Sequence, residues 1–281
     1  MWIRERKLNL GELHSIRRVM ARGGLHTVCD EARCPNRSEC FSRGTATFLI
    51  MGDVCTRSCR YCSIAHGRPR PLDAGEPGEL ARAAAEMGLQ HVVVTSVDRD
   101  DLPDGGAAHF AAVIAELKRL QPAPAVEVLT PDFRADMGAV DTVLAAGPDV
   151  YNHNVETVPR LYPLVRRSGR YRWALEVLEH VAARGNGQVT KSGLMVGLGE
   201  ERSELEQTMR DLAAVRCRVV TIGQYLRPTG REVPVVRYWS PREFAELEGF
   251  GRSLGLEVVA GPFVRSSYHA EEAFLKVSSG R

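Results

Sequence analysis

The stretch TATFLIMGDVCTRSCRYC, residues 45–62, joins an apolar run to three closely spaced cysteines. Residues 45–51 are short, apolar and rich in β-branched side chains, which predicts a buried strand. Cys55, Cys59 and Cys62 follow that strand directly. In folds that alternate parallel strands with helices, the loops that follow the strands form the active-site face. The stretch therefore predicts both a β/α architecture and the place of its chemistry.

The rest of the chain repeats the alternation of short apolar runs with amphipathic helical stretches. Apolar runs such as Val92-Val93-Val94 are typical of parallel strands, because helices cover both faces of such a sheet. The predicted strands lie at residues 45–51, 91–97, 125–130, 150–156, 189–196 and 219–226. The predicted helices between them lie at residues 77–87, 107–120, 134–145, 171–183 and 201–215.

Six βα units predict an α/β fold, a partial (β/α)6 barrel, and do not support a closed barrel of eight. No Gly-x-Gly-x-x-Gly follows the first strand, which weakens a dinucleotide-binding doubly wound sheet. A helix at 241–254 and a strand-like run at 257–264 lead into the tail. We divide the chain into an N-terminal extension (1–44), the barrel (45–226) and a closing segment (227–281), within one integrated domain.

The composition excludes several classes of protein. The 281 residues are 44% hydrophobic and 26% charged with a formal net charge of +2, as in an ordinary globular protein. Near-zero net charge argues against general nucleic-acid binding. No run approaches the ~18 apolar residues of a membrane span, and the first residues lack the apolar segment of a signal peptide. We expect a cytoplasmic protein without a nucleic-acid or membrane partner.

Six of the seven cysteines lie between residues 29 and 62. In a reducing compartment, clustered cysteines more often bind metal than form disulfides. Cys55, Cys59 and Cys62 have the spacing C-x3-C-x2-C with no fourth cysteine close by, whereas structural zinc takes four protein ligands. Three thiolates suit a four-iron cluster with one iron left open. Zinc and an electron-carrier cluster are the alternatives.

A second triad consists of Cys29, Cys34 and Cys40, spaced C-x4-C-x5-C. Because this is not the spacing of a zinc finger, it predicts either a small structural metal loop or a second iron–sulfur cluster. Cys217 stands alone on an apolar stretch and is predicted to be a buried core residue.

The first triad, with Tyr61 just before its last cysteine, resembles the motif of the radical S-adenosylmethionine superfamily. In that superfamily the open iron chelates the amino and carboxylate groups of S-adenosylmethionine. With the second triad and three further motifs, essentially the whole chain resembles the lipoyl synthase family. The motifs are Asn152-His-Asn154-Val-Glu156-Thr157, Lys191-Ser-Gly193-Leu-Met195-Val-Gly197-Leu-Gly199-Glu200 and Arg265-Ser266-Ser267-Tyr268-His269-Ala270.

The resemblance implies an enzyme that inserts sulfur at C6 and C8 of an octanoyl chain on a lysine of a carrier protein. Those carbons carry no acidic hydrogen and no leaving group, so the reaction needs a radical that the cofactors supply. One 4Fe–4S cluster, on the first triad, is implied to cleave S-adenosylmethionine. An auxiliary 4Fe–4S cluster, on the second, is implied to donate sulfur. Ser266 is implied as its fourth ligand, with Ser267 as the near alternative.

The same resemblance implies a set of nucleotide-binding side chains. Asn154 and Glu156 alternate on one face of the fourth strand and suit the ribose hydroxyls, while Lys191 on the fifth suits the carboxylate. Polar residues bonded to one another inside the barrel are the alternative interpretation. The implied set is Tyr61, Thr95, Asn154, Glu156, Lys191 and Met195.

The implied partners are octanoylated lipoyl carrier domains, namely the E2 subunits of 2-oxoacid dehydrogenases and the glycine cleavage H protein. A ferredoxin or flavodoxin is the implied electron donor. We expect a monomer, because no heptad or long apolar stripe is visible. A basic run is interpreted first as a solvated loop and second as a docking surface for an acidic carrier. It contains Arg166, Arg167, Arg170 and Arg172.

Two other functions remain as alternatives. One is a different radical enzyme with an auxiliary cluster, such as a methylthiotransferase or a biotin-synthase-like sulfur transferase. The tail, residues 265–269, argues against it. The other is an iron–sulfur electron carrier or sensor without enzymatic activity, which would bind no small molecule at its open iron.

Overall fold

A parallel sheet runs through the protein. The computed structural model describes residues 18–28, 36, 45–267 and 270–279. Within these, the strands are β1 His26–Thr27, β2 Thr45–Ile50, β3 Val54–Cys55, β4 Ala65–His66, β5 His91–Ser96, β6 Ala125–Leu129, β7 Val150–Asn152, β8 Val189–Val196, β9 Val219–Gln224 and β10 Glu257–Gly261. β2 and β5 to β10 are parallel neighbours in chain order. β1 adds antiparallel to β2, and β3 pairs with β4 apart from the sheet.

Helices connect successive parallel strands. They are α1 Glu76–Glu86, α2 Ala107–Lys118, α3 Met137–Ala145, α4 Tyr162–Val165, α5 Tyr171–Arg184, α6 Arg202–Ala214, α7 Pro241–Ser253 and α8 Ala270–Ser279. Local signals start several of them. Ser240 and Glu243 form a reciprocal capping box at α7, and the Asp136 side chain accepts from the first turn of α3. The helices bury one apolar stripe each against the sheet.

The strands are apolar throughout because both faces of the sheet are covered. Val92, Val93 and Val94 of β5 are all fully buried. A strand buried on both faces loses the alternation of apolar and polar residues, which is why the runs are continuous in the sequence.

The predicted α/β architecture is confirmed, and the predicted strands and long helices are found with small shifts at their ends. The fourth strand stops at Asn152, because the chain leaves the ladder before Glu156, which adopts a left-handed φ of 62°. The run at 257–264 forms a seventh parallel strand, β10. The division of the chain into three parts stays a prediction.

Several elements were not predicted. β1, the β3–β4 pair, α4 and α8 are short or lie at the ends of the chain, where periodicity gives little signal. The second cysteine triad lies outside the described residues.

The last helix, α8, covers the amino ends of the strands. Phe274 and Val277 pack against Val150, Val189 and Val219, which stand at or near the starts of their strands. This helix seals the floor of the sheet and leaves the carboxyl ends as the open side. Among the described residues, no helix has both the length and the apolar character needed to cross a membrane.

Candidate active site

A cavity of about 600 Å³ opens at the carboxyl ends of β2, β5, β6 and β7. All three cysteines of the first triad line it, as the sequence predicts for the loop after the first long strand. Its polar lining includes Arg57, Tyr61, Thr95, Asp98, His153, Asn154, Glu156 and Arg166. Its apolar lining includes Ile64, Val97, Leu129 and Pro131.

A tight turn leads the chain from β2 into the cysteine loop. Met51 and Gly52 both adopt positive φ, at 68° and 93°. The carboxylate of Glu76, at the start of α1, accepts from the Met51 backbone N–H at 2.9 Å and holds this turn. Gly106 lies so close that a Cβ there would fall 2.3 Å from the Met51 sulfur. The approach of α2 to the turn therefore requires glycine at this position.

Cys55, Cys59 and Cys62 are free thiols in a largely buried setting. Burial raises the pKa of Cys55 and Cys59 to about 12 and that of Cys62 to about 11. A metal that binds these sulfurs must therefore displace their protons. The Cys55 sulfur already accepts backbone N–H groups of Arg57 and Asp98, at 3.4 and 3.3 Å, and such donors stabilise a thiolate.

The thiols around the cavity indicate which kind of metal group could bind there. Within the described residues, no group of three or more His, Cys, Asp or Glu side chains is placed to hold a single metal ion. Three free thiols around a cavity of this size match the donor set of a four-iron cluster with one open iron. The residues present therefore fit such a cluster.

Arg166 enters the cavity as a buried guanidinium. It donates to the Asn154 carbonyl at 3.0 Å and lies 3.6 Å from the Asp132 carboxylate. The structure thus removes Arg166 from the basic run to which the sequence analysis assigned it. Of the other members, Arg170 stacks on Trp173 and Arg172 pairs with Glu176 on the surface. The other three members of the run are exposed, and their use as a docking surface stays a prediction.

Glu156 points its carboxyl group into the cavity from a left-handed backbone position. Its N–H donates to Gly193 O at 2.9 Å, and its carbonyl accepts from Met195 N–H at 2.8 Å. These bonds to β8 hold the unusual φ of 62°. Burial raises the pKa of Glu156, although Arg166, Asn154 and Tyr61 act in the opposite direction.

The tail reaches the same region from the other end of the chain. The Ser266 hydroxyl and the Asn154 side-chain amide bond each other, at 2.8 and 3.0 Å. Gly193 makes room for them, since a Cβ there would lie 2.7 Å from the Ser266 oxygen. The neighbouring Ser267 instead accepts from Thr47 on β2, at 2.9 Å. Only Ser266 of the two touches a residue that lines the cavity in the described structure.

Lys191 does not reach the cavity. Its ammonium pairs with the Glu127 carboxylate, at 2.8 and 3.0 Å, and both side chains are fully buried. Asn152 also donates to Glu127, at 3.1 Å. The Lys191 ammonium is thus engaged by a carboxylate inside the barrel, which is the alternative that the sequence left open. Met195 is partly buried, packs against the apolar core and is not among the residues that line the cavity.

The structure therefore brings together Cys55, Cys59, Cys62, Tyr61, Thr95, Asn154 and Glu156, with Ser266 beside them. Sequence reasoning missed Arg57, Asp132 and the true place of Arg166. Arg57 carried a signal, since a charged residue between two cysteines of a buried loop needs partners. Asp132 carried none, because it follows its strand like any loop residue.

Comparisons with known proteins show what this chain is similar to. A family model described as "Radical SAM superfamily" matches residues 49–212. Relatives named lipoyl synthase occur in Methylococcus capsulatus, 53% identical over 96% of this chain and 85% of the relative, and in Rubrobacter xylanophilus, 52% identical over 96% and 85%. One from Xylella fastidiosa is 53% identical over 96% of this chain and 74% of its own.

Solved structures share the fold at low identity. Streptococcus suis SuiB bound to S-adenosylmethionine gives a TM-score of 0.59 at 9% identity, covering 80% of this chain and 53% of SuiB. Methylornithine synthase gives 0.56 at 12% identity, covering 88% of this chain and 81% of its own. These likenesses support the arrangement of strands and helices alone.

Proposed function

We propose that this chain, which belongs to the lipoyl synthase family of the radical S-adenosylmethionine superfamily, inserts two sulfur atoms at C6 and C8 of an octanoyl chain on a carrier lysine. The observation that carries the proposal is the joint placement of three free thiols in one cavity with buried cationic, anionic and apolar groups. The substrate carbons are unactivated, so the protein must bind, orient and exclude water while cofactors supply the reactivity.

Cys55, Cys59 and Cys62 would hold the 4Fe–4S cluster at the cavity. When bound, this cluster supplies the electron that cleaves S-adenosylmethionine to methionine and a 5'-deoxyadenosyl radical. The backbone N–H groups on the Cys55 sulfur would stabilise its thiolate as a ligand. The apolar lining of Ile64, Val97 and other residues keeps water from the reacting carbons.

The nucleotide would lie between Arg166 and the carboxyl end of β7. The buried Arg166 guanidinium suits the carboxylate of S-adenosylmethionine, since its fork can bind both oxygens. The side chains of Asn154 and Glu156 suit the ribose hydroxyls. Thr95 donates to Leu129 O, at 2.8 Å, and keeps its oxygen lone pairs for an ammonium group. Arg166 thus takes the role that the family resemblance implies for Lys191.

The auxiliary cluster would bind to Cys29, Cys34 and Cys40, with Ser266 as its fourth ligand. Asn36, between the second and third of these cysteines, donates to the Phe263 carbonyl. This contact ties Asn36 to a residue that precedes Ser266 by three positions in the chain. A hard oxygen ligand suits an iron–sulfur cluster less well than a soft thiolate does. The bond between Ser266 and iron would therefore break readily when the cluster gives up sulfur.

The protein substrates would be the octanoylated carrier domains named above, with a ferredoxin or flavodoxin as electron donor. The chain would act as a monomer in the cytoplasm. The octanoyl arm would enter from the open carboxyl side of the sheet, because α8 closes the other side.

The decisive experiment is mass analysis of an octanoyl-lysine peptide after reaction with anaerobically reconstituted protein, S-adenosylmethionine and dithionite. We expect a product with two added sulfur atoms. Cys55→Ala should lower cleavage of S-adenosylmethionine by at least about a thousandfold. Cys217→Ala is the matched control, because that thiol is also buried but lies in the core. A methylthio product would instead assign the chain to a methylthiotransferase reaction.

The auxiliary site is tested separately with the second triad and the two serines. Cys29→Ala should remove one cluster and sulfur insertion while S-adenosylmethionine cleavage persists. Ser266→Ala should lower product formation more than Ser267→Ala. An unchanged yield in Ser266→Ala with a loss in Ser267→Ala would transfer the ligand role to Ser267.

A further inference from the structure

Arg57 lies between the first two cysteines of the cavity and is surrounded by carboxylates. Its side chain is 2% exposed. The guanidinium donates two hydrogen bonds of 2.8 Å to the Asp100 carboxylate. It also lies 2.8 and 2.9 Å from the two carboxylate oxygens of Asp132, and 3.3 Å from the carboxylate of Asp98. Burial would lower the pKa of Arg57, but Asp100 and Asp132 raise it above its ordinary value. No step of the proposed chemistry uses this guanidinium.

The backbone around Arg57 is joined to the same acidic loop. The Thr56 N–H and hydroxyl both donate to Asp98 O, at 3.0 and 2.8 Å, and the Asp100 N–H donates to the Thr56 hydroxyl at 3.1 Å. Asp98 N–H also donates to the Cys55 sulfur. Residues 55–57 and 98–100 therefore form one hydrogen-bonded unit at the ends of β2 and β5.

Asp132 extends this unit to the far side of the cavity. It follows β6, binds Arg57, and lies 3.6 Å from Arg166 at the end of α4. A planar guanidinium can make two-bond contacts with two carboxylates at once, whereas a lysine ammonium, with three donors on one nitrogen, lacks the planar fork for such contacts. The loops after three neighbouring strands are thus fixed relative to one another by a single side chain.

We propose that Arg57 is a positioning residue that fixes the first half of the cysteine loop, and with it the Cys55 sulfur, at the place where the cluster is assembled. The network consists of protein atoms alone, so it holds the loop before any cluster binds. The inference rests on the proposed function only for the identity of the group that the three cysteines hold.

Arg99, between Asp98 and Asp100 in the loop after β5, provides a matched control because its side chain bonds to Asp101 and not to the cysteine loop in the described structure. Its side chain is also 2% exposed and also grips one carboxylate with two bonds, those of Asp101 at 2.8 and 2.9 Å. It contacts Met51 O at 3.5 Å but makes no bond to residues 55–62 that the described structure shows. Arg57→Lys and Arg99→Lys therefore make the same chemical change, and only the first reaches the cysteine loop.

The first test uses the full chain without iron, by amide hydrogen exchange. We expect Arg57→Lys to accelerate exchange at residues 55–58 by about tenfold, with Arg99→Lys unchanged there. Asp100→Asn should reproduce the effect, because it breaks the same two-bond contact. Equal exchange in all three variants and the parent protein would overturn the proposal. Uniform acceleration across the whole chain in Arg57→Lys would also overturn it, by showing a general loss of stability.

The second test measures iron release from the reconstituted protein to a ferrous chelator. We expect the iron bound by Cys55, Cys59 and Cys62 to be released about tenfold faster in Arg57→Lys than in Arg99→Lys. Equal release rates would contradict the proposal. Neither readout depends on the product formed, so a failure of sulfur insertion would refute the proposed function while leaving this inference standing.

Discussion

Two regions of the barrel interior are built from the same strands and both contain buried charge, but only one of them is open. We call them the mouth, at the carboxyl ends of the strands, and the floor, at the amino ends under α8. At the mouth, Arg166 and Glu156 face a cavity of about 600 Å³ together with the three thiols. At the floor, Glu127 and Lys191 neutralise each other under α8, where the His91 ring lies 6.1 Å from that of Phe274. The charges of Glu127 and Lys191 at the floor pair with each other and are not available to a ligand.

The two regions are separated by two residues along a strand. Side chains on one face of a strand repeat every two residues, a separation of about 7 Å. Asn152 and Lys191 lie at the floor. Gly193, two residues farther along β8, and Asn154, two residues beyond the end of β7, lie at the level of the mouth. Buried charge therefore does not identify a binding site. Depth along the strand decides whether the charge meets a ligand or another residue.

The largest expected effect is on stability and comes from the floor. Glu127→Gln leaves Lys191 as a buried charge without its partner and should reduce the free energy of unfolding by about 3 to 5 kcal/mol. Urea denaturation measures this, and the double variant Glu127→Gln/Lys191→Met should recover most of the loss. Affinity for S-adenosylmethionine should stay the same in the folded variants. A weakened affinity for S-adenosylmethionine with unchanged stability would place Glu127 and Lys191 at the mouth and contradict the distinction between the two regions.

A smaller effect, on binding, is expected at the mouth. Arg166→Gln should raise the Kd for S-adenosylmethionine by about 10- to 100-fold, because a charged, two-bond contact with the carboxylate is lost. Lys191→Met should change it by less than about twofold, since among the described residues the Lys191 ammonium pairs with Glu127 inside the barrel. Calorimetric titration of reconstituted protein measures both, with the exposed Arg167→Gln as control. If Lys191→Met weakens binding and Arg166→Gln does not, Lys191 holds the carboxylate as the sequence predicts.

The smallest effect is a pH dependence of the floor. Burial alone would raise the pKa of Glu127, but Lys191 and His91 lower it from 4.5 to about 2. A carboxyl with a lowered pKa stabilises the fold fully above its unfolded pKa and loses that stabilisation as the pH falls through its folded value. We expect about 1 kcal/mol to be lost between pH 7 and pH 4 relative to Glu127→Gln. Urea midpoints at several pH values measure this, and parallel curves for both proteins would contradict it.

The elements were predictable because each strand and helix carries its own periodicity. The cysteine triad was predictable because its spacing, loop position and adjacent Tyr61 occur together in the sequence. Asn154 and Glu156 were predicted from the period of a strand that in fact ends at Asn152, and both nevertheless line the cavity. Here the local pattern and the tertiary structure agree, because the functional residues sit at strand ends that the apolar runs already define.

The structure adds most for residues whose partners are far away in the chain. Lys191 and Asn154 share a face, but the pairing of Lys191 with Glu127 is set by β6, 64 residues away. Arg166 belongs to a basic run in the sequence, but the short helix α4 turns it inward toward Asp132. A pattern of neighbouring residues cannot show such contacts, because burial of a charge is decided by which carboxylate it meets.

The α/β alternation, the first cysteine triad and the family to which the chain belongs can be recognised in the sequence, because each depends on residues close together along the chain. The tertiary structure alone decided which charges belong to the cavity and which to the floor, that Arg57 ties the cysteine loop to its neighbours, and that Ser266 meets Asn154. These depend on how deep each residue sits along its strand and on which distant loop it touches. Parallel strands joined by crossovers set both only when the sheet is assembled.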